Sequence, residues 1–234
     1  MLKYLMINLK SSKNLKEILE YKKTIINKNF KEKEFVLFPS LPYLGFFYNV
    51  PYKIGSQNLS IYQTGSHTGE ILASQLASIN VSYCLVNHAE SMDTEKDCLR
   101  KIKNATLENI KVVLCFGEEE KKASPKVVEE LIWFLENIFM PLTKKEKENI
   151  ILAYEPSWLI GKKENLELSC IIEIVSSIKK YLKETEKVDI PILYGGGITL
   201  ENIENLLNLD SIDGLLIGNC ANNPKNICKI LEKI

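Results

Sequence analysis

The stretch NIILAYEPSW (149–158) carries an apolar, β-branched run into a carboxylate, Glu155, followed at once by Pro156. A buried strand has no need of an acid at its tip, and an unpaired carboxylate in apolar surroundings is costly. Glu155 therefore reads as a group kept for proton chemistry. Other short apolar runs end on reactive types too: Asn8 and Lys10, Gln57-Asn58, His88, Cys115, the run Gly195-Gly196-Gly197, and Gly218-Asn219. Glycines at such ends let backbone N–H groups approach an anion. A helix over TLENIENLLNL, opening just past the glycine run, would aim its N-terminus at the same spot. The set suits a phosphorylated small molecule, with Lys10 neutralising charge and His88 and Glu155 left to move protons.

These groups need elements to hold them. The strand candidates are KYLMIN (3–8), EFVLFP (34–39), YKIGSQN (52–58), SYCLVN (82–87), KVVLCF (111–116), NIILAY (149–154), IPILYGG (190–196) and DGLLIGN (213–219). Helical patterns lie between them. Leu15, Ile18, Leu19, Ile25 and Ile26 share one face. Ser124 reads as an N-cap with Pro125 in the first turn of VVEELIWFLENIF. SCIIEIVSSIKKYLKE and TLENIENLLNL repeat the theme. Strands alternating with helices imply a parallel sheet. A (β/α)8 barrel takes about 250 residues, and the chain has 234. An open doubly wound sheet is the alternative, but GxGxxG is missing after the first strand. The expected fold is one α/β domain, a single (β/α)8 barrel over residues 1–234. In such barrels the C-terminal strand ends form the site, and those are the positions named above.

Lys plus Arg and Asp plus Glu number 30 each, so the formal net charge is zero. That balance gives no electrostatic case for nucleic acid or an anionic membrane. Arg100 is the single arginine, and readers of nucleic acid lean on that side chain. The six cysteines have no CxxC pair and no metal-ligand spacing. They read as reduced, mostly buried thiols of a cytosolic protein, and neither metal nor cofactor is expected. MLKYLMINLK is too short and interrupted for a signal peptide, and no apolar stretch is long enough to span a membrane.

The same residues, in order along nearly the whole chain, resemble the triosephosphate isomerase family. INLK, IGSQN, TGSHTGE, NHAE, CFGE, AYEPSWLIG, LYGGGI and DGLLIGN carry the likeness, and AYEPSWLIG is the most specific. The resemblance implies a proton transfer between C1 and C2 of a triose phosphate, with no cofactor, in glycolysis and gluconeogenesis in the cytoplasm. Glu155 would be the base, His88 a neutral electrophile, and Lys10 with Asn8 the substrate-binding pair that stabilises the enediolate. Gly161, Gly197, Gly218 and Asn219 would offer N–H groups to the phosphate. Pro156–Glu164 would be the lid, with Trp158 locking it. Loop Ile61–Glu70 would build a homodimer. A neutral His88 is also favoured by a following helix N-terminus, where Asp93 is the expected N-cap.

Departures from the family pattern are plain. Leu9, Lys10 and Ser11 follow Asn8 in place of Trp-Lys-Met, and Ala89 stands for the Ser after the His. Ser91-Met92 replaces an Arg pair, which removes an ion-pair partner expected for Glu90. Lys162-Lys163 sits in the lid, Gly197 replaces Ser, and Asn219 replaces Gly.

Plainer readings exist for each residue taken alone. A strand-end acid is usually a solvated loop carboxylate, His88 a satisfied polar group, Lys10 a solvated lysine, and the glycine run a tight turn. His67 reads as structural or interfacial, and Cys115 as core. Two other functions compete: a thiol hydrolase pairing Cys115 with His88 from adjacent strands, and a barrel that binds a sugar phosphate without turning it over. Another phosphorylated aldose–ketose pair is the nearest rival substrate.

Overall fold

The computed structural model describes residues 3–30, 32–91, 93–162 and 164–233. Met92 and Lys163, both singled out by sequence, lie outside the described residues. Eight parallel strands follow one another around a closed barrel: β1 (Tyr4–Asn8), β2 (Glu34–Phe38), β3 (Lys53–Ser56), β4 (Val81–Val86), β5 (Lys111–Phe116), β6 (Ile150–Tyr154), β7 (Ile192–Tyr194) and β8 (Gly214–Ile217). β8 closes on β1 with Ile217 beside Ile7. This is the expected (β/α)8 barrel.

Period-two alternation explains why the runs are apolar without a break. Met6, Val36, Phe38, Tyr83, Leu85, Val113, Cys115, Ile151, Ala153, Leu193 and Leu216 fill the barrel interior. Their neighbours, among them Leu5, Ile7, Leu37, Val86, Leu114, Leu152 and Ile217, belong to the second core between barrel and helices. A parallel strand covered on both faces has no polar side to show in the sequence. The barrel closes where side chains leave room: a Cβ on Gly214 would lie 2.5 Å from the Tyr4 carbonyl oxygen.

The helices are α1 (Leu15–Ile25), α2 (Ala73–Ser78), α3 (Glu95–Leu107), α4 (Ser124–Phe139), α5 (Lys144–Glu148), α6 (Leu168–Tyr181), α7 (Ile203–Leu207) and α8 (Pro224–Lys233). α1 opens on a capping box in which Asn14 and Glu17 satisfy each other's backbone N–H, a device that stabilises a helix by about 1 kcal/mol. Its buried face is Ile18, Tyr21 and Ile25, whereas Leu15 and Leu19 are exposed. The expected stripe was displaced because Tyr21 counts as core: its hydroxyl is satisfied by the Ala221 carbonyl at 2.9 Å. Two caps also differ from expectation. α4 is capped by Ala123, with Ser124 already helical. α3 is capped by Thr94, whose hydroxyl accepts from Asp97 N–H, and not by Asp93. Among the described residues no helix is long and apolar enough to cross a membrane.

Candidate active site

The C-terminal ends of the strands lie on one rim, and the sequence-selected residues gather there around a cavity of about 420 Å³. Asn8, Lys10, His88, Glu155, Gly161, Gly197, Gly218 and Asn219 all line it. Gln57 holds the Lys10 carbonyl and Cys115 packs in the barrel interior.

Glu155 is the first residue past β6, its N–H bonded to the Phe116 carbonyl at 2.8 Å. The residue is 6% exposed. Its Oε2 is buried without a hydrogen-bond partner among the described residues. Room for the carboxylate comes from Gly195: a Cβ there would sit 2.7 Å from Glu155 Cγ and 2.9 Å from Oε1. Burial raises the Glu155 pKa above the ordinary carboxylate value. His88, the Cys115 thiol and Lys10 pull the other way, and Glu90 adds a smaller upward push. A buried carboxylate with an idle oxygen is a base with an acceptor site to spare.

His88 follows β4 and is buried, with Nε2 3.6 Å from Glu155 Oε1. The Glu90 N–H donates to His88 Nδ1 at 3.2 Å. A nitrogen that accepts carries no proton, so a neutral ring in this arrangement would hold its proton on Nε2, the nitrogen on the Glu155 side. The turn is held tight by Ser91 N–H on the His88 carbonyl at 2.7 Å. Ahead of it, Asn87 takes the left-handed conformation, φ +58°.

Lys10 is also left-handed, φ +50°. Its N–H bonds to Asn8 Oδ1 at 2.9 Å, and its carbonyl accepts from Gln57 Nε2 at 2.9 Å. Gly218 leaves space for its stem, since a Cβ there would lie 3.3 Å from Lys10 Cε. Lys10 Nζ pairs with Glu90 Oε1 at 2.6 Å. The loss of the family's Arg pair therefore does not leave Glu90 without an ion partner: its side chain is half exposed and reaches Lys10, while its backbone orients His88. The sequence marked Glu90 as an acid short of an ion-pair partner and gave no sign of Lys10 in that place. Its double role depends on two loops meeting.

The opposite end of the cavity is built from backbone. Gly161 and Gly197 have φ of +76° and +56°, where an L side chain is strained. Asn202 Nδ2 ties the Gly197 carbonyl at 2.9 Å to Asn165 Oδ1 at 2.8 Å, linking the glycine loop to the segment after the lid. The helix expected at TLENIENLLNL begins only at Ile203 and has 5 residues. Thr199 and Asn202 spend the intervening residues on a side-chain-bonded turn. A single 3₁₀ turn, Asn219–Asn222, opens from Gly218 on the cavity side instead. It is too short to leave a periodic trace in sequence.

In the segment after Glu155, Ser157–Leu159 forms a 3₁₀ turn. Trp158 Nε1 donates to Glu118 Oε1 at 2.8 Å, Tyr154 Oη donates to the same carboxyl at 3.1 Å, and Ser157 N–H bonds to the Glu118 carbonyl at 3.0 Å. Glu118 is buried, which raises its pKa against the pull of these donors. Lys162 Nζ lies over the Trp158 ring, 5.9 Å from its centroid. The Cys115 thiol is fully buried and its pKa is pushed well above the usual range, first by burial and then by Glu155. A nucleophilic thiol needs the reverse, so the Cys115–His88 hydrolase reading loses its chemistry. His67 stacks on Tyr62, centroids 3.6 Å apart, within the exposed loop 61–70. Among the described residues no group of three or more His, Cys, Asp or Glu side chains could hold a metal ion.

Comparison with known proteins agrees with this geometry. Residues 3–234 match the family model described as triosephosphate isomerase. A relative named probable triosephosphate isomerase 2, from Listeria monocytogenes, is 28% identical over 216 residues, covering 88% of this chain and 85% of the relative. The triosephosphate isomerase of Ureaplasma parvum is 35% identical over 180 residues, 76% of this chain and 75% of its own. That of Trichodesmium erythraeum is 26% identical over 231 residues, covering 95% of this chain and 94% of its own.

Proposed function

The chain belongs to the triosephosphate isomerase family, and we propose that it interconverts dihydroxyacetone phosphate and glyceraldehyde 3-phosphate through an enediolate. The observation that carries the reading is Glu155 itself: a buried carboxylate with one oxygen unpartnered among the described residues, 3.6 Å from an imidazole, on the wall of a cavity that Lys10 shares.

Glu155 takes the proton from one carbon and returns it to the next. His88, with its Nε2 proton toward the cavity, donates a hydrogen bond to the carbonyl and moves protons between the two oxygens. Lys10, next to Asn8, stabilises the negative charge that builds on those oxygens. The phosphate binds among backbone N–H groups of Gly161, Gly197, Gly218 and Asn219, with the Lys10 stem beside Gly218. Residues 156–164 close as a lid that keeps water from the enediolate. No cofactor takes part. The span 1–234 works as one domain, in the cytoplasm, in glycolysis and gluconeogenesis. The active form is a homodimer in which loop 61–70 of each subunit packs beside the partner's first catalytic segment.

The test is a coupled assay of the purified protein with both triose phosphates. Turnover in both directions supports the reading. Binding without turnover turns it into the sugar-phosphate carrier, and turnover of a longer phosphorylated sugar alone moves it to another aldose–ketose pair.

A further inference from the structure

Lysine is rarely buried unless it is paired, yet Lys101, on the inner face of α3, is 5% exposed. Its Nζ lies 2.6 Å from Asp93 Oδ1 and 2.7 Å from Asn58 Oδ1. One ammonium thus bridges the turn after β4 and the loop after β3. On the first side, Asp93 Oδ2 accepts the Asn87 N–H at 2.9 Å, and the Asp93 N–H returns a bond to Asn87 Oδ1 at 3.1 Å. Asn87 Nδ2 reaches the Cys115 carbonyl on β5 at 3.1 Å. Asn87 is left-handed, and the next residue is His88. On the second side, Asn58 follows Gln57, whose Nε2 holds the carbonyls of Lys10 at 2.9 Å and Phe38 at 3.0 Å. Lys10 is left-handed as well. Left-handed non-glycine residues persist only where their surroundings over-determine them.

We infer that Lys101 is a positioning residue for the isomerisation, acting through Asp93 and Asn87 on His88 and through Asn58 and Gln57 on Lys10. The inference rests on the reading of His88 and Lys10 in the preceding section. Lys101 touches neither substrate nor cavity. Without its ammonium, the partly exposed Asp93 carboxylate loses its cation and turns toward water, and Asn87 loses the reciprocal pair that fixes its backbone. Asn58 Oδ1 loses the Lys101 ammonium in the same step and keeps only the N–H of its neighbour Leu59 at 2.8 Å. Both strained residues relax, and the two groups aimed at the carbonyl oxygen shift together. The phosphate end, built from residues 161, 197, 218 and 219, meets this network where Gly218 lies beside the Lys10 stem.

Lys101→Met and Asn58→Ala in the full chain test the inference. A misplacement near 1 Å costs about a hundredfold in rate. The expected result for Lys101→Met is a kcat loss of about tenfold to a hundredfold, with KM for either triose phosphate changed by less than about threefold, the pattern of a group that acts beyond ground-state binding. Lys101→Arg should restore most of kcat. Asn58→Ala, which leaves the Lys101–Asp93 pair intact, should show the same split at smaller size, and it decides the question if Lys101→Met does not fold. Nitrogen NMR of the His88 ring should show displaced signals in Lys101→Met. A lowered melting temperature with unchanged kcat in the folded variant overturns the inference, as does a raised KM at constant kcat. An inactive parent protein overturns the isomerase reading instead; the ring signals then still judge the positioning, and signals that stay in place refute it.

Discussion

Glu155→Gln should abolish activity and raise stability at once. The substitution keeps the side-chain shape in the space that Gly195 leaves open, and it removes charge and basicity together. General-base catalysis contributes about 10²–10⁴-fold. At about 1.36 kcal/mol per tenfold, that is about 2.7–5.4 kcal/mol of transition-state stabilisation lost. The stability effect has the opposite sign. Glu155 is buried, Oε2 has no partner among the described residues, and burial is the largest influence on its carboxyl, raising the folded pKa above the unfolded value. The unfolded carboxyl titrates near about 4.3. Between that point and the raised folded pKa, the folded chain binds more protons than the unfolded chain, so stability falls as pH rises through the window. Above it the whole penalty is present, and glutamine escapes it. The variant should therefore melt higher than the parent at pH 7, with the difference closing toward pH 4, where both forms are neutral. The measurements are the coupled isomerase assay, thermal melts at the two pH values, and competition by inorganic phosphate, whose binding should survive. A kcat within a factor of ten of the parent would refute the base assignment. A lower melting temperature at pH 7 would refute the view of Glu155 as a destabilising buried charge.

Gly195→Ala places a Cβ 2.7 Å from Glu155 Cγ, and the displaced carboxylate should cost about a hundredfold in kcat while phosphate affinity holds; a loss under threefold means Glu155 has room to yield. Deleting residues 159–162 should uncover the enediolate and increase phosphate elimination to methylglyoxal. Slower turnover with no added methylglyoxal would show that the segment is not a shield. Light scattering at micromolar concentration should find a homodimer, and a fully active monomer there would disprove the role given to loop 61–70. Glu186 accepts from Lys147 and Tyr181 at 2.7 Å each. Burial raises its pKa, but these bonds outweigh burial and hold it below the ordinary value. Its contribution is thus complete above about pH 4.3 and fades as pH falls through the depressed pKa. Glu186→Gln should lower stability at pH 7 by about 1.5–3 kcal/mol, with the gap from the parent narrowing in acid; a gap independent of pH from 7 to 3 would contradict this.

Much of the protein was legible in one dimension because strands buried on both faces must be apolar throughout, and a polar residue at the end of such a run stands out. Glu155, His88, Lys10 and the glycine loops were found that way, as were the eight strands and the barrel. The resemblance then assigned each its role. Local sequence was a poorer guide where two residues could do one job. Thr94 took the cap expected of Asp93, because Asp93 was claimed by Lys101 and by the backbone of Asn87. Tyr21 took a core position that Leu15 and Leu19 seemed to fill, because its hydroxyl had a carbonyl waiting 200 residues away. Glu90 on Lys10, Gly195 beside Glu155, and Lys101 behind both left-handed residues have no local signature. Each pair is distant in the chain, and what joins them is the closure and register of the barrel. Composition and periodicity report how each residue meets water, and that is enough to place it inside or out and at a strand's middle or end. Which two ends face each other is settled only when all eight strands share one ring.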